Sequence, residues 1–315
     1  MEQITIAERN SPFRKLGRRI AQSKYLILMI LPAVVFYVIF CYLPMYGVLL
    51  AFKSYDPIKG IMGSDWVGFA NFKEVFDDPL FWPVVVNTLI IGSIKIVVGF
   101  LGAVITALLL NELRMRRTKK TIQTIVTFPH FLSWIVISGF VVSLFAYHGA
   151  INSMVEASGG EPIQFLRNKG LFFVLIFATD IWKEAGWGSI IYLATMAGIP
   201  QDQYEAADID GASRLQKIWH ITLPGIKSVA ILLLIMSVGG VLSAGFDQLL
   251  NLTPRALEGK IDIIDTYIYR NYIGDVDPSQ VGIGAAIGLF KSVIGFVLVI
   301  TVDRIAKACG ERGII

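Results

Sequence analysis

The sequence contains little charge and almost no cysteine. Only 17% of its 315 residues are charged and 55% are hydrophobic, whereas soluble domains average about 25% charged and 45–50% apolar residues. The two cysteines, Cys41 and Cys309, are too few and too differently placed for a disulfide framework. The chain also lacks a phosphate-binding loop of the G-x-x-x-x-G-K-S/T type, a nucleophile constellation and a metal-ligand cluster. These absences argue against a soluble enzyme and predict no catalytic residue, no metal site and no cofactor in this chain.

Long uncharged runs are what the sequence has instead. A helix needs about 20 apolar residues to cross the hydrocarbon layer of a membrane, because each residue adds only ~1.5 Å. Buried helices of a soluble all-α protein are an alternative, but such helices usually carry polar stripes and are shorter. We therefore predict an all-α membrane protein with six transmembrane helices, at 25–52, 83–110, 122–147, 171–198, 225–247 and 281–303.

The distribution of positive charge predicts the orientation of these helices. Lysine and arginine are concentrated before the first helix, at 114–120 and after the sixth helix, and such residues gather on the cytoplasmic side of membrane proteins. The net charge of +4 therefore indicates cytoplasmic loops and lipid surroundings, not nucleic-acid binding. We predict a cytoplasmic basic segment over 1–24, a transmembrane domain over 25–306 and a cytoplasmic tail over 307–315, with both termini in the cytoplasm.

A polar segment, 200–224, joins the fourth and fifth predicted helices and is too patterned for a slack loop. Pro200 suits a helix start, and acidic residues follow it where exposed amide groups favour negative charge. We expect a short helix over 201–209. Gly211 can take the left-handed backbone that ends a helix, and Ser213 can cap the next one. The segment therefore predicts two short helices with a bend between them.

The second of these short helices should have one apolar face. Leu215, Ile218 and Trp219 lie three or four residues apart and so share that face. We expect Pro224 to start the fifth transmembrane helix. From the residues alone, the segment is either an amphipathic helix at the membrane interface or a docking element for another protein.

The segment resembles the signature of ABC-importer permeases, which reads Glu-Ala-Ala, three residues, glycine, nine residues, then Ile-x-Leu-Pro. The positions that match this signature are Glu205, Ala206, Ala207, Gly211, Ile221, Leu223 and Pro224. The resemblance implies a type I ABC importer permease fold. It also implies that this segment is the coupling helix between helices four and five, seated in a cleft of a cytoplasmic ATPase, with Glu205 facing a basic group.

The same resemblance implies the partners of the chain. These are a second, related permease, two ATPase subunits that hold ATP and Mg, and an extracytoplasmic solute-binding protein. The assembly would lie in the bacterial cytoplasmic membrane as a multi-pass complex. In it, this chain would convert motion of the ATPase pair into access to a translocation path.

Further segments resemble carbohydrate-uptake permeases, in particular the LplB-type polysaccharide branch. They lie at 67–72, 78–82, 87–88, 128–134, 180–183, 186–188 and 265–270. The resemblance implies a carbohydrate solute, an oligosaccharide from polysaccharide breakdown. Segment 252–257 departs from the Leu-Tyr-Asn-Pro pattern of that branch, which leaves the identity of the sugar open. Another solute class, such as amino acids or phosphate, is the alternative.

A sugar path needs aromatic surfaces for apolar C–H faces and side chains that donate and accept hydrogen bonds for the hydroxyls. The fourth and fifth predicted helices carry such residues. We expect the substrate path among Trp182, Trp187, Tyr192, Phe246, Asp247 and Gln248. The alternative is an interfacial belt, because membrane proteins also place tryptophan and tyrosine at the lipid interface without binding anything.

Two lysines, Lys95 and Lys291, lie near the middles of the second and sixth predicted helices. A charge facing lipid there costs at least ~2.5–3.5 kcal/mol on insertion scales, so we expect both to face the bundle interior. Asp180 and Glu184, one turn apart on the fourth helix, are the expected partners, with Lys183 as a competitor. Such groups form either a structural ion pair, which we favour, or the proton relay of a secondary transporter.

Overall fold

The computed structural model describes residues 23–273 and 277–308 of the chain. The predicted basic segment and the tail lie almost wholly outside these residues, as does Cys309. The described chain is mainly helical. In chain order its helices are α1 (Lys24–Phe52), α2 (Ala70–Asp77), α3 (Phe81–Asn111), α4 (Arg116–Thr127), α5 (Trp134–Phe145), α6 (Ala150–Ala157), α7 (Lys169–Met196), α8 (Gln201–Ile209), α9 (Arg214–Val238), α10 (Phe246–Leu252), α11 (Ile264–Tyr272) and α12 (Val281–Ala308).

Short pieces connect these helices. Two-residue strands, β1 (Lys53–Ser54) and β2 (Asp65–Trp66), pair in antiparallel fashion after α1. The Asn71 side chain on α2 donates to the carbonyls of Ala51 and Lys53 at 3.0 Å, which ties α2 to the end of α1. Single helical turns lie at Gly60–Gly63, Phe128–Phe131, Val241–Ser243, Arg255–Leu257 and Pro278–Gln280.

Several helical stretches are long and apolar enough to cross a membrane. Within the described residues there are five, namely Lys24–Phe52, Phe81–Asn111, Trp134–Ala157, Arg214–Val238 and Pro278–Ile305. The fourth predicted helix is present as α7, which has 28 residues. It differs from the five because Asp180, Lys183 and Glu184 lie near its middle. The described residues therefore form a mainly helical protein with several candidate membrane spans.

The third predicted helix, 122–147, is wrong as one continuous helix. The chain leaves helical hydrogen bonding after Thr127, makes a 3₁₀ turn over Phe128–Phe131 and starts a new helix at Trp134. Pro129 has no N–H to donate to a helical ladder, and Ser133 caps α5 by accepting a hydrogen bond from the Val136 N–H at 3.4 Å. A proline followed by a capping serine thus divides the apolar run.

The fifth predicted helix, 225–247, is wrong at both ends. Helix α9 already begins at Arg214 and ends at Val238, where Gly239 and Gly240 follow. Successive glycines disfavour helix continuation by about 1 kcal/mol each relative to alanine. Phe246, Asp247 and Gln248 therefore belong to the separate helix α10.

The core is organised around α3 and α7, which pack against each other along their lengths. Buried side chains form clusters near the start, middle and end of α3. These clusters contain Phe81 with Ile264 and Ile287, Ile91 with Phe172 and Leu249, and Ala107 with Tyr192 and Ile226. By contrast, the most apolar stretch of α1 is 0% buried in this chain. The packing of α1 within this chain is at its end, Leu43–Phe52, which contacts α12 and α2.

Candidate functional site

The segment between α7 and α9 has the local structure that its sequence predicts up to Ser213. Helix α8 covers Gln201–Ile209, as expected. Gly211 has a φ of +71°, the left-handed conformation expected for the residue that ends this helix. Ser213 caps the next helix in a capping box, in which Gln216 bonds back to the Ser213 N–H at 2.7 Å. A tight bend therefore separates α8 from α9.

The expected second short helix is wrong as a separate element. It is the first part of α9, which runs without interruption from Arg214 past Pro224 into the apolar stretch. A π-helical turn over Ile218–Thr222 precedes the proline, and the Leu223 N–H bonds to the Ile218 carbonyl. Because proline removes one helical hydrogen bond, a wider turn next to it accommodates the change in register. We call residues 200–224 the bend element, and it continues directly into a long helix.

The predicted coupling residues lie mostly at the surface. Glu205, Ala206 and Gly211 are exposed, and Ala207, Ile218, Ile221 and Leu223 are half-buried. Leu215 and Trp219 are 69% and 67% exposed, respectively. Exposed large apolar side chains of this kind are typical of surfaces that bind another protein.

A buried ion pair joins α3 to α7. The Lys95 ammonium lies 3.2 Å from Asp180, and the two side chains are 9% and 16% exposed, respectively. Lys95 also donates to the amide oxygen of Gln248. Gly245, at a φ of +80°, leaves room for this ammonium, since a Cβ there would lie 2.0 Å from Lys95 Nζ. The expected pairing of Lys95 with Asp180 is therefore confirmed.

Gln248 completes this buried network. Its amide nitrogen donates to the Ile176 carbonyl at 2.8 Å and to the Thr179 hydroxyl at 2.9 Å, both on α7. The Gln248 side chain is fully buried. Although the sequence places Gln248 in the predicted substrate set, its polar groups are already bonded to α3 and α7.

A second polar cluster lies on α7 next to the first. Glu184 lies 2.8 Å from the His130 ring and 3.3 Å from Lys183. Lys183 donates to the His130 carbonyl at 2.5 Å. The His130 ring stacks on the Trp187 ring, with the ring centroids 4.4 Å apart. These contacts hold the 3₁₀ turn of His130 against α7. Among the described residues Glu184 forms its ion pairs with His130 and with Lys183, the competitor expected from the sequence, and not with Lys95 or Lys291.

Lys291 on α12 pairs with Asp265 on α11 at 2.6 Å. No sequence pattern connects these two residues, since α11 is a short amphipathic helix outside the predicted spans. A separate hydrogen bond joins α11 to the end of α2, where the Tyr267 hydroxyl donates to Asp78. Burial, followed by this hydrogen bond, raises the pKa of Tyr267, so the hydroxyl keeps its proton. Polar contacts thus fasten α11 on two sides.

The predicted aromatic path residues have different environments. Trp182 and Trp187 are 54% and 46% exposed, respectively. Phe246 is half-buried and contacts the Tyr269 ring at 5.9 Å. Tyr192 is only 3% exposed and packs edge-on against Phe100 in the cluster at the end of α3. Tyr192 therefore has a packing role in this structure.

Asp247 opens onto a cleft of about 320 Å³ that runs between α5, α7 and α10. Trp134, Lys183, Glu184 and Asn251 also line this cleft. The Lys183 ammonium lies 5.7 Å from the centre of the Trp134 ring. The cleft combines an aromatic face with hydrogen-bonding side chains, as a sugar requires. Sequence reasoning missed Trp134 and Asn251, although Trp134 lies in one of the segments that carry the family resemblance.

Known proteins match this chain over most of its length. Residues 96–310 match the family described as binding-protein-dependent transport system inner membrane component. The chain is 42% identical over 305 residues to the polygalacturonan/rhamnogalacturonan transport system permease protein YteP of Bacillus subtilis, covering 96% of this chain and 93% of that protein. It is 40% identical over 314 residues to the protein LplB of the same organism, covering 98% of each.

A solved structure has the same fold. It is a chain of a bacterial alginate ABC transporter, crystallised in complex with an alginate pentasaccharide-bound periplasmic protein. The superposition has a TM-score of 0.84 at 32% sequence identity and covers 95% of this chain and 100% of that chain. Together with the profile match over residues 96–310, these similarities establish that the chain belongs to the family of inner membrane components of binding-protein-dependent transport systems.

Proposed function

We propose that this chain is a membrane permease subunit of a bacterial, ATP-driven, binding-protein-dependent ABC importer that moves an oligosaccharide into the cell. The family supports the transport role, and a polygalacturonan/rhamnogalacturonan permease and an alginate transporter are among the similar proteins. The single observation that carries the coupling role is the bend element of α8 and α9. It exposes Glu205, Ala206 and Gly211 of the signature and is continuous with a long apolar helix.

We infer six transmembrane helices. They are the five long apolar stretches and α7, which is less apolar because it carries charged residues near its middle. Its 28 residues reach about 42 Å at ~1.5 Å per residue, enough to cross the bilayer. Asp180 pairs with Lys95, and Glu184 pairs with Lys183 and His130. Charged residues within membrane helices are tolerated when they face the bundle and pair in this way. With the basic segments inside, both termini and the bend element lie in the cytoplasm.

The bend element then faces the ATPase subunits, which hold ATP and Mg. Leu215 and Trp219 supply the apolar surface of a docking site, and Glu205 supplies a negative charge for a basic group of the partner. A second, related permease completes the path. The apolar stretch of α1, which is 0% buried in this chain, is available to that permease and to lipid. A solute-binding protein delivers the oligosaccharide from outside.

We assign the sugar path to the cleft and to the exposed or half-buried members of the predicted set. Trp182, Trp187, Phe246 and Asp247 stay in this assignment, and Trp134 joins them. Gln248 and Tyr192 leave it, because one is fully bonded to helix α7 and Lys95 and the other is packed in the core. Aromatic faces beside carboxylate and amide groups suit the alternating apolar and hydroxyl surfaces of a sugar.

Two substitutions test the docking role. Glu205→Arg reverses the charge of the proposed contact, and Gly211→Asp places a side chain at a left-handed backbone position. Both should abolish co-purification of the ATPase subunit and uptake of oligosaccharide while leaving the permease in the membrane. Asp210→Arg is the matched control, because it makes an equal charge change on the same exposed segment but outside the signature. It should retain both ATPase co-purification and oligosaccharide uptake.

The measurement is pull-down of the ATPase by the tagged permease from solubilised membranes, together with uptake of labelled oligosaccharide. Undiminished ATPase binding in both variants contradicts the docking role. Uptake that follows a proton gradient and is independent of ATP contradicts the importer and supports a secondary transporter.

A further inference from the structure

Helix α8 is held in place without a core of its own. None of its nine residues is buried, and isolated helices shorter than about 12–15 residues are marginal in water. Its position therefore depends on its connections to α7 and α9 and on a small number of side-chain contacts. If α8 receives the movement of the ATPase, these contacts decide how much of that movement reaches the membrane helices.

One face of α8 makes these contacts. Tyr204, Ala207 and Asp208 are spaced three and four residues apart, so they lie on the same side of the helix. The Tyr204 hydroxyl and the Thr222 hydroxyl are 2.9 Å apart. Lys217 donates to Asp208 at 2.6 Å. Both partners, Lys217 and Thr222, belong to α9.

The two contacts differ in how far they are shielded from water. Thr222 is only 2% exposed, so its hydroxyl has few water molecules to replace Tyr204. Asp208 has a side chain that is 63% exposed, and exposed ion pairs typically contribute little. The Tyr204–Thr222 contact is therefore the stronger mechanical link between α8 and α9.

Thr222 occupies a special place in α9. It is the last residue of the π-helical turn, two residues before Pro224. Its hydroxyl donates to the Lys217 carbonyl at 3.5 Å, which leaves its oxygen free to accept from Tyr204. Single π-helical turns occur frequently at functional sites. Tyr204 thus contacts α9 where the regular helical bonding is already interrupted and where the long apolar stretch begins.

We propose that Tyr204 is a positioning residue, whose hydrogen bond to Thr222 transmits displacement of α8 to α9 and so couples ATP hydrolysis to opening of the path. This role rests on the proposed function. It is distinct from docking, because Tyr204 faces α9 whereas Glu205 and Ala206 face away from the chain. Tyr204 acts through Thr222 and touches neither the ATPase nor the solute.

Tyr204→Phe and Thr222→Val test this role, because each removes one hydroxyl and keeps the volume of the side chain. The assay uses the whole importer, purified with its ATPase and second permease and reconstituted in liposomes with the binding protein. It measures the oligosaccharide transported per ATP hydrolysed, and the ATPase that co-purifies. Lys217→Met, which removes the exposed α8–α9 contact, is the control.

Both hydroxyl variants should keep ATPase binding and hydrolysis, while transport per ATP falls roughly two- to tenfold, the shift expected from loss of one net hydrogen bond. In the double variant, transport per ATP should be within about twofold of the value in either single variant, because both substitutions remove the same hydrogen bond. Lys217→Met should stay within about twofold of the wild type.

Each other result contradicts the positioning role. An unchanged transport-to-hydrolysis ratio in both single variants shows that the bond transmits nothing. Loss of ATPase binding in Tyr204→Phe places Tyr204 in the docking surface instead. An equal fall of transport per ATP in Lys217→Met shows that the Tyr204–Thr222 hydrogen bond has no special role in coupling. Failure of the proposed function would be seen differently. In that case the wild-type importer would bind no ATPase or would transport without ATP.

Discussion

The ion pair of Lys95 and Asp180 gives the sharpest prediction about the interior of the protein. Asp180→Asn leaves the Lys95 ammonium without its carboxylate, and Lys95→Met leaves Asp180 and the Gln248 oxygen without their donor. Because the two side chains are only 9% and 16% exposed, water does not replace the missing partner. Removing one partner of a buried pair destabilises a protein by about 3–5 kcal/mol.

The double variant Lys95→Met/Asp180→Asn distinguishes a structural pair from a proton relay. Removing both charges leaves no unpaired ion, so the double variant should be more stable than either single variant. At roughly 2–4 °C per kcal/mol, each single substitution should lower the apparent melting temperature by on the order of 10 °C. The double variant should recover at least half of that loss.

The assay is thermal unfolding of the purified permease complex in detergent, with oligosaccharide uptake measured on the same variants in vesicles. A structural pair predicts that the double variant transports better than either single variant. Stability losses that add within about 0.5 kcal/mol refute the pairing, because independent sites add in this way. Recovered stability with complete loss of uptake refutes the structural interpretation and favours a relay.

Three further predictions concern single contacts. Ser213→Ala removes the cap of α9 and should destabilise the start of this helix by about 1 kcal/mol. Amide hydrogen exchange over 214–217 should then be roughly fivefold faster. Unchanged exchange contradicts the capping role. Asp265→Asn leaves Lys291 unpaired and should lower the stability in thermal unfolding by about 1–3 kcal/mol. This is less than for a fully buried pair, because both side chains are partly exposed. Adding Lys291→Met should recover the lost stability. Tyr267→Phe removes the hydrogen bond to Asp78 and should cost about 1.5–3 kcal/mol. Because burial raises the pKa of Tyr267, its contribution is fully present below the unfolded pKa of about 10 and is lost only at higher pH. The loss in Tyr267→Phe should therefore be equal at pH 6 and pH 9.

Local signals predicted the bend element well. The bounds of α8, the left-handed Gly211 and the Ser213 cap follow from residues that act within one helical turn. The continuity of α9 through Pro224 did not follow, because proline favours a helix start as an isolated signal. In the folded chain a π-helical turn lets the helix pass through this proline, and nothing in the sequence marks such a turn.

Partners of buried charges were predicted only in part. Asp180 was found as the partner of Lys95 because both lie in long apolar runs, where a charge needs an opposite charge. Lys291 instead finds Asp265, which lies on a short helix that hydropathy does not mark. Gln248 carries no charge, so no rule of this kind pointed to its place in the network. Its position depends on the break after Val238, which brings α10 against α7.

ATP-dependent uptake by liposomes tests the central claim most directly. The reconstituted importer, with this chain, its second permease, the ATPase subunits and the solute-binding protein, would be offered acidic and neutral oligosaccharides, amino acids and phosphate. The proposed function predicts accumulation of an oligosaccharide only when ATP is present, and loss of that accumulation in Glu205→Arg. Accumulation without ATP contradicts the importer, and ATP-driven uptake of amino acids or phosphate alone contradicts the assignment of the solute.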